Sequence, residues 1–124
     1  MTVFEMELRA DQSAPRLSRA RLDEFGPDLG ERLLDVKLIV SELVTNSVRH
    51  SHNSQKVQVK VRVDKERIRL EVIDEGPGFP PDPAKSDGLG LAIVERLADD
   101  WGVHVDDACT VWVELSKSTK REDA

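Results

Sequence analysis

Apolar residues recur at helical spacing between Asp35 and Ser51, where Val36, Ile39, Val40, Leu43, Val44 and Val48 fall on one side of a cylinder. The spacing predicts one amphipathic helix over this stretch. Glu42, Asn46 and His50 follow one another four apart and form a polar stripe on the edge of its apolar face. Elsewhere the period changes to two. Val3 to Leu8 alternates, with Phe4, Met6 and Leu8 on one side, as an edge strand would. Val57, Val59, Val61 and Val63 alternate with Gln58, Lys60 and Arg62, Asp64-Lys65-Glu66 closes a hairpin, and Ile68, Leu70 and Val72 run into Ile73-Asp74. These two strands are expected to pair antiparallel with one wet face.

The remaining elements are shorter. Ser13 is an expected N-cap before Pro15, opening a short helix with Leu17, Ala20, Leu22 and Phe25 apolar that ends before Gly26-Pro27. Leu29 to Arg32 connects it to the central helix, and residues 51–54 form a turn. Glu75 to Gly88 holds four prolines and three glycines and reads as a long loop. A helix is expected from Leu89 to Trp101, stopped by Gly102, then short strands at Val103–Val105 and Thr110–Leu115. The resulting order, β-α-α-β-β-loop-α-β-β, predicts an α+β fold, a two-layer sandwich with helices on one face of a sheet. Residues 1–116 make one domain and 117–124 a polar tail.

Composition narrows the function classes. A net charge of −6 argues against nucleic acid or an anionic membrane as the main partner. An anionic ligand would therefore need local donors. The single cysteine, Cys109, excludes an intrachain disulfide framework and a cysteine-rich metal site. No apolar run is long enough to span a membrane, and the first ten residues lack a signal peptide's apolar stretch, so a cytoplasmic protein is expected.

Three stretches carry chemistry. Glu42 and Asn46, one turn apart, place a carboxylate suited to proton abstraction beside a carboxamide oxygen suited to a hard cation. Asp74-Glu75-Gly76-Pro77-Gly78 sets a carboxylate at a strand end, able to accept from an exocyclic amine, before glycines that let the backbone approach a flat base. Asp87-Gly88-Leu89-Gly90 opens a helix, where exposed N–H groups and the helix dipole favour an anion. No Walker-type lysine motif is present.

In this order and spacing, Glu42-x-x-x-Asn46, Asp74-x-Gly76-x-Gly78 and Gly88-x-Gly90 resemble the N, G1 and G2 boxes of the GHKL (histidine kinase-like) ATPase superfamily. SELVTNSVRHS, the short lid, GLGLAIVERLAD and the WG that follows resemble its small branch, the anti-sigma factor serine/threonine protein kinases. The resemblance covers about Phe4 to Leu115. It implies a Bergerat-type sandwich, with a mixed, mostly antiparallel sheet and ATP between the central helix and the lid. It implies Asn46 as the Mg²⁺ ligand, Glu42 as general base and Asp74 as the group that binds the adenine amine. Gly76 and Gly78 would shape the adenine side, while Gly88, Leu89 and Gly90 border the phosphates. Thr110 is retained from the same pattern as a nucleotide-binding residue, and His50 either holds the helix end or touches ligand. The implied partners are a sigma factor and an anti-anti-sigma (STAS-type) protein carrying the acceptor serine, and homodimers are common among such proteins. The alternative is a non-catalytic nucleotide-binding module that regulates a partner protein. One departure stands out. Asp106-Asp107-Ala108-Cys109 replaces the glycine turn usual before the last strand, and Asp tolerates the left-handed backbone such a turn would use.

Overall fold

The period-2 segments pair into one five-stranded sheet. The computed structural model describes residues 1–50, 56–74 and 91–118. Its strands are β1 (Thr2–Arg9), β2 (Lys56–Val63), β3 (Arg67–Asp74), β4 (Asp100–Val105) and β5 (Cys109–Ser116), in the spatial order β1-β2-β3-β5-β4. All four ladders are antiparallel, which sharpens the expectation of a mixed, mostly antiparallel sheet. Register keeps one side chain in two facing inward. Phe4 pairs with Val61, Leu70 with both Val61 and Val113, and Asp74 with both Val57 and Cys109.

The helices cover that inward face. They are α1 (Ala14–Asp23), α2 (Gly26–Leu29) and α3 (Leu33–His50), with a 3₁₀ turn over Gly30–Arg32, and α4 (Leu91–Leu97). Val36, Ile39, Val40, Leu43 and Val44 of α3 are buried against the sheet, as their spacing predicts. Phe4 stacks on Phe25 with ring centroids 3.7 Å apart. Each fully buried aliphatic side chain contributes about 1.5–3 kcal/mol, whereas an exposed ion pair contributes roughly 0–1 kcal/mol. Packing of α3 on the sheet therefore holds the two layers together, and surface charge does not. At Gly30 the backbone has φ 56°, a conformation that L side chains rarely adopt, and there the chain turns from α2 into the segment leading to α3.

Four local expectations are corrected. The buried stripe of α1 is Ala14, Ser18 and Leu22, while Leu17 and Ala20 are exposed. A stripe spaced by four lets a small serine face the core, with its hydroxyl bonded to the Pro15 carbonyl at 2.7 Å. Ser13 does not cap α1 through its side chain. Instead it donates to Asp11 Oδ1 from both backbone N–H and hydroxyl. The last helix runs from Leu91 to Leu97, not to Trp101, and Gly102 sits inside β4 instead of ending a helix. The turn at Asp106 needs no left-handed residue. Among the described residues no non-glycine residue has positive φ, and the Ala108 N–H donates to Asp106 Oδ1 at 3.1 Å.

Gly102 pairs with Trp112, whose ring lies across it. A Cβ at position 102 would sit 2.8 Å from Trp112 Cζ2, too close for any real contact. The Arg69 guanidinium covers the same ring at 4.9 Å and is itself held by Glu114 at 2.7 Å and Glu71 at 3.0 Å, so the indole has little room to yield. Gly102→Ala is expected to lower stability by about 1–3 kcal/mol, as overpacking does, measured as a lower urea midpoint with an unchanged slope. An unchanged midpoint would show that Trp112 swings aside at no cost.

Candidate functional site

Burial along α3 grades steadily through the polar row. Glu42 is half-buried, Asn46 is 1% exposed and Ser47 is 2% exposed. Ile39 and Leu43 on one side of this row pack onto the sheet, while Leu38 and Arg49 on the other face solvent, so the row runs along the seam at the edge of the helix–sheet contact. Directly below lies Asp74, the last residue of β3, at an inward-facing position and 1% exposed. Ser47 Oγ donates to Asp74 Oδ2 at 3.2 Å, which joins helix and strand at a fully buried point. A carboxylate in such a place must be hydrogen-bonded to persist, because burial without a partner costs several kcal/mol.

The parity of β5 decides what else faces the seam. Cys109 pairs with Asp74 and is 2% exposed. Thr110 pairs with Ile73 and His104, so the structure places it on the sheet face turned away from Asp74 and α3. This corrects the position expected for Thr110: the inward neighbour of Asp74 is Cys109, one residue earlier. At the adjoining turn the Asp106 carboxyl is held below the usual carboxylate range, first by the Ala108 N–H and then by His104, whose Nε2 lies 3.2 Å away.

Asn46 and Asp74 are thus both buried where α3 meets the end of β3, and Glu42 stands one turn before Asn46, half-buried. Gly76, Gly78, Gly88, Leu89 and Gly90 lie outside the described residues, as do the turn at 51–55, the lid and the His50 side chain. Two seam residues carry no motif signal. Ser47 follows Asn46 on α3, and Cys109 is reachable only by counting strand parity back from Val111. Away from the seam, at the opposite end of the sheet, Arg32 ties the framework. Its guanidinium donates to the Ser116 carbonyl at 2.9 Å, to Asp35 at 2.8 Å and to the Leu97 carbonyl at the end of α4 at 3.3 Å. A cation there also complements the α4 dipole.

The donor set fits a weakly held hard cation. Among the described residues no group of three or more His, Cys, Asp or Glu side chains could hold a metal. Asn46 offers one carboxamide oxygen, so an ion such as Mg²⁺ would take its other ligands from substrate phosphates and water, as Mg²⁺ commonly does.

Comparison with known proteins gives the family and the fold. The family described as histidine kinase-like ATPase domain matches residues 8–117. The serine-protein kinase RsbW of Bacillus licheniformis is 31% identical over 141 residues, covering 96% of this chain and 87% of that protein. The RsbW of Bacillus velezensis is 28% identical, covering 97% and 89%. Among solved structures, the RsbU and RsbW domains of a Mycobacterium tuberculosis protein align with TM-score 0.72 at 22% identity. That alignment covers 93% of this chain and spans 32% of the longer one. The catalytic domain of histidine kinase ThkA aligns with TM-score 0.58 at 16% identity, covering 94% and 97%. At these identities the solved structures establish the fold alone.

Ser47→Ala leaves Asp74 buried without its hydroxyl donor. Hydrogen bonds to charged groups contribute about 1.5–3 kcal/mol, so ATP affinity measured by calorimetry is expected to fall about tenfold or more while the fold is kept. Affinity equal to wild type would mean that Ser47 does not orient the carboxylate.

Proposed function

We propose that this chain, which belongs to the histidine kinase-like ATPase family, is an Mg-ATP-dependent protein serine/threonine kinase that acts as an anti-sigma factor. The observation that carries the reading is the graded row of α3: a half-buried carboxylate at Glu42, a buried carboxamide at Asn46, and Ser47 fastened to the buried Asp74. A base, a cation ligand and an amine acceptor stand in that order along one helix and the strand end beneath it. The 31% identity to a serine-protein kinase over nearly the whole chain supports the same activity.

In this reading Asp74 accepts a hydrogen bond from the adenine amine, and Ser47 fixes the orientation of that carboxylate. Asn46 would hold Mg²⁺ through its side-chain oxygen, and the ion would supply neutralisation of phosphate charge. Gly76 and Gly78 border the base, while Gly88, Leu89 and Gly90 offer backbone N–H groups to the phosphates at the start of α4. Glu42 takes the proton from the acceptor hydroxyl. The hydroxyl oxygen forms its bond to the γ-phosphorus as the bond to the β–γ bridging oxygen breaks, and ADP departs with that electron pair. The acceptor is a serine on a STAS-type anti-anti-sigma protein, and the other partner is a sigma factor. No helix among the described residues is long and apolar enough to cross a membrane, in keeping with action in the cytoplasm. A homodimer is the proposed assembly, as is common in this branch.

Phosphotransfer from γ-labelled ATP to the serine of a STAS-type protein tests the proposal. Glu42→Ala is expected to bind ATP as wild type does and to lose transfer by about 10²–10⁴-fold, the usual contribution of a general base. ATP binding by wild type without any transfer would favour the non-catalytic regulatory module instead. Transfer retained by Glu42→Ala would show that another base acts.

A further inference from the structure

The row that carries Glu42 and Asn46 does not begin with them. Leu34, Leu38, Glu42 and Asn46 are successive i, i+4 positions of α3, each step about 6 Å along the helix axis. Their exposure falls in that order: Leu34 is 75% exposed, Leu38 is 44% exposed, Glu42 is half-buried and Asn46 is 1% exposed. The apolar half of the ridge therefore stands in solvent and leads straight to the carboxylate. Direction along the helix is set by Asp74. With the base at Asp74, as the kinase reading has it, and Asp74 held by Ser47, the phosphates extend back along α3 toward Glu42, and Leu38 and Leu34 continue the same helix beyond that carboxylate.

Two charges beside the leucines are committed within the chain. Asp35 pairs with Arg32 at 2.8 Å and Lys37 pairs with Asp23 at 2.7 Å. The ridge end thus offers contact area for an apolar side chain and little for a charged one. Both leucines lie on the solvent side of α3, so their exposure does no work for the core.

We infer that Leu34 and Leu38 are the docking seat for the phosphoacceptor protein, which seats apolar side chains there while its acceptor serine lies at Glu42. The seat rests on the kinase reading above and adds a specificity element to it. Extended chain advances about 3.3 Å per residue. An apolar residue two to four positions from the acceptor serine, or an apolar patch as near to it in the folded acceptor, would therefore reach Leu38 or Leu34.

The test uses the full chain carrying Leu34→Gln and Leu38→Gln together, which keeps helix propensity and adds no charge. Phosphotransfer to the STAS-type protein is measured against acceptor and against ATP separately. The KM for the acceptor is expected to rise about tenfold or more, with the KM for ATP and the calorimetric ATP affinity unchanged. Each single variant should give a smaller rise. An unchanged acceptor KM, with wild-type transfer intact, overturns the seat and leaves the kinase reading standing. A raised acceptor KM accompanied by conversion of a wild-type dimer to monomer in sedimentation also overturns it, because the leucines would then lie between two copies. Loss of sigma-factor binding with unchanged acceptor KM assigns the ridge to that partner and overturns it as well. Failure of wild type to transfer at all removes the kinase reading, and the seat with it.

Discussion

A serine hydroxyl and a carboxylate meet inside the core, and much of the molecule is arranged so that they can. Ser47 and Asp74 are each at most 2% exposed and come from the helix layer and the sheet layer respectively. A buried carboxylate is tolerated only where the surrounding geometry supplies donors. The apolar face of α3 must therefore land in one register on the sheet, with Val36 through Val44 against the central strands and the polar row overhanging the end of β3. Sliding α3 by one turn would separate Ser47 from Asp74 and move Asn46 off the seam. Packing and polar satisfaction thus select the same arrangement, and the chemistry of the site follows from it.

The two ends of this arrangement are fixed by different devices. At the far end of the sheet, Arg32 binds the start of α3 to the end of β5 and to the Leu97 carbonyl of α4. The element that begins just after Gly88–Gly90 is thereby anchored at its C-terminus to the same segment that launches α3. On the outer face, Arg69, Glu71, Glu114 and Trp112 form a ladder of ion pairs and a cation–π contact over Gly102. That face carries charge where the inner face carries aliphatic side chains, and so the sheet has one dry side and one wet side.

Most of this was legible in the sequence because periodicity speaks directly to burial. The valines of β2 and the aliphatic row of α3 lie where their spacing puts them, and Asn46 and Asp74 are both buried. What misled was punctuation. Trp101-Gly102 looks like a helix end, but Gly102 is a glycine because Trp112 occupies the space above it, a long-range fact invisible locally. Hydrophobicity alone gives the α1 stripe as Leu17, Ala20, Leu22 and Phe25, while the structure exposes the first two, buries Leu22 and adds Ser18, whose hydroxyl is satisfied by its own helix. Resemblance alone puts Thr110 at the nucleotide. Strand parity, counted from the buried Val111 and Val113, turns it outward and brings Cys109 beside Asp74. Ser47 escaped notice since a serine inside an apolar run has no signature until its partner, 27 residues away, is known.

Asp74 and the α3 row are proposed to form a nucleotide site whose affinity depends on a cation held by Asn46. Calorimetric titration of ATP into the folded chain, with and without Mg²⁺, tests it most directly. The account predicts saturable binding at one site, strengthened by Mg²⁺, and lost in Asp74→Asn protein that keeps the wild-type fold by circular dichroism. Binding that is absent in folded wild-type protein, or that persists undiminished in Asp74→Asn, would contradict it.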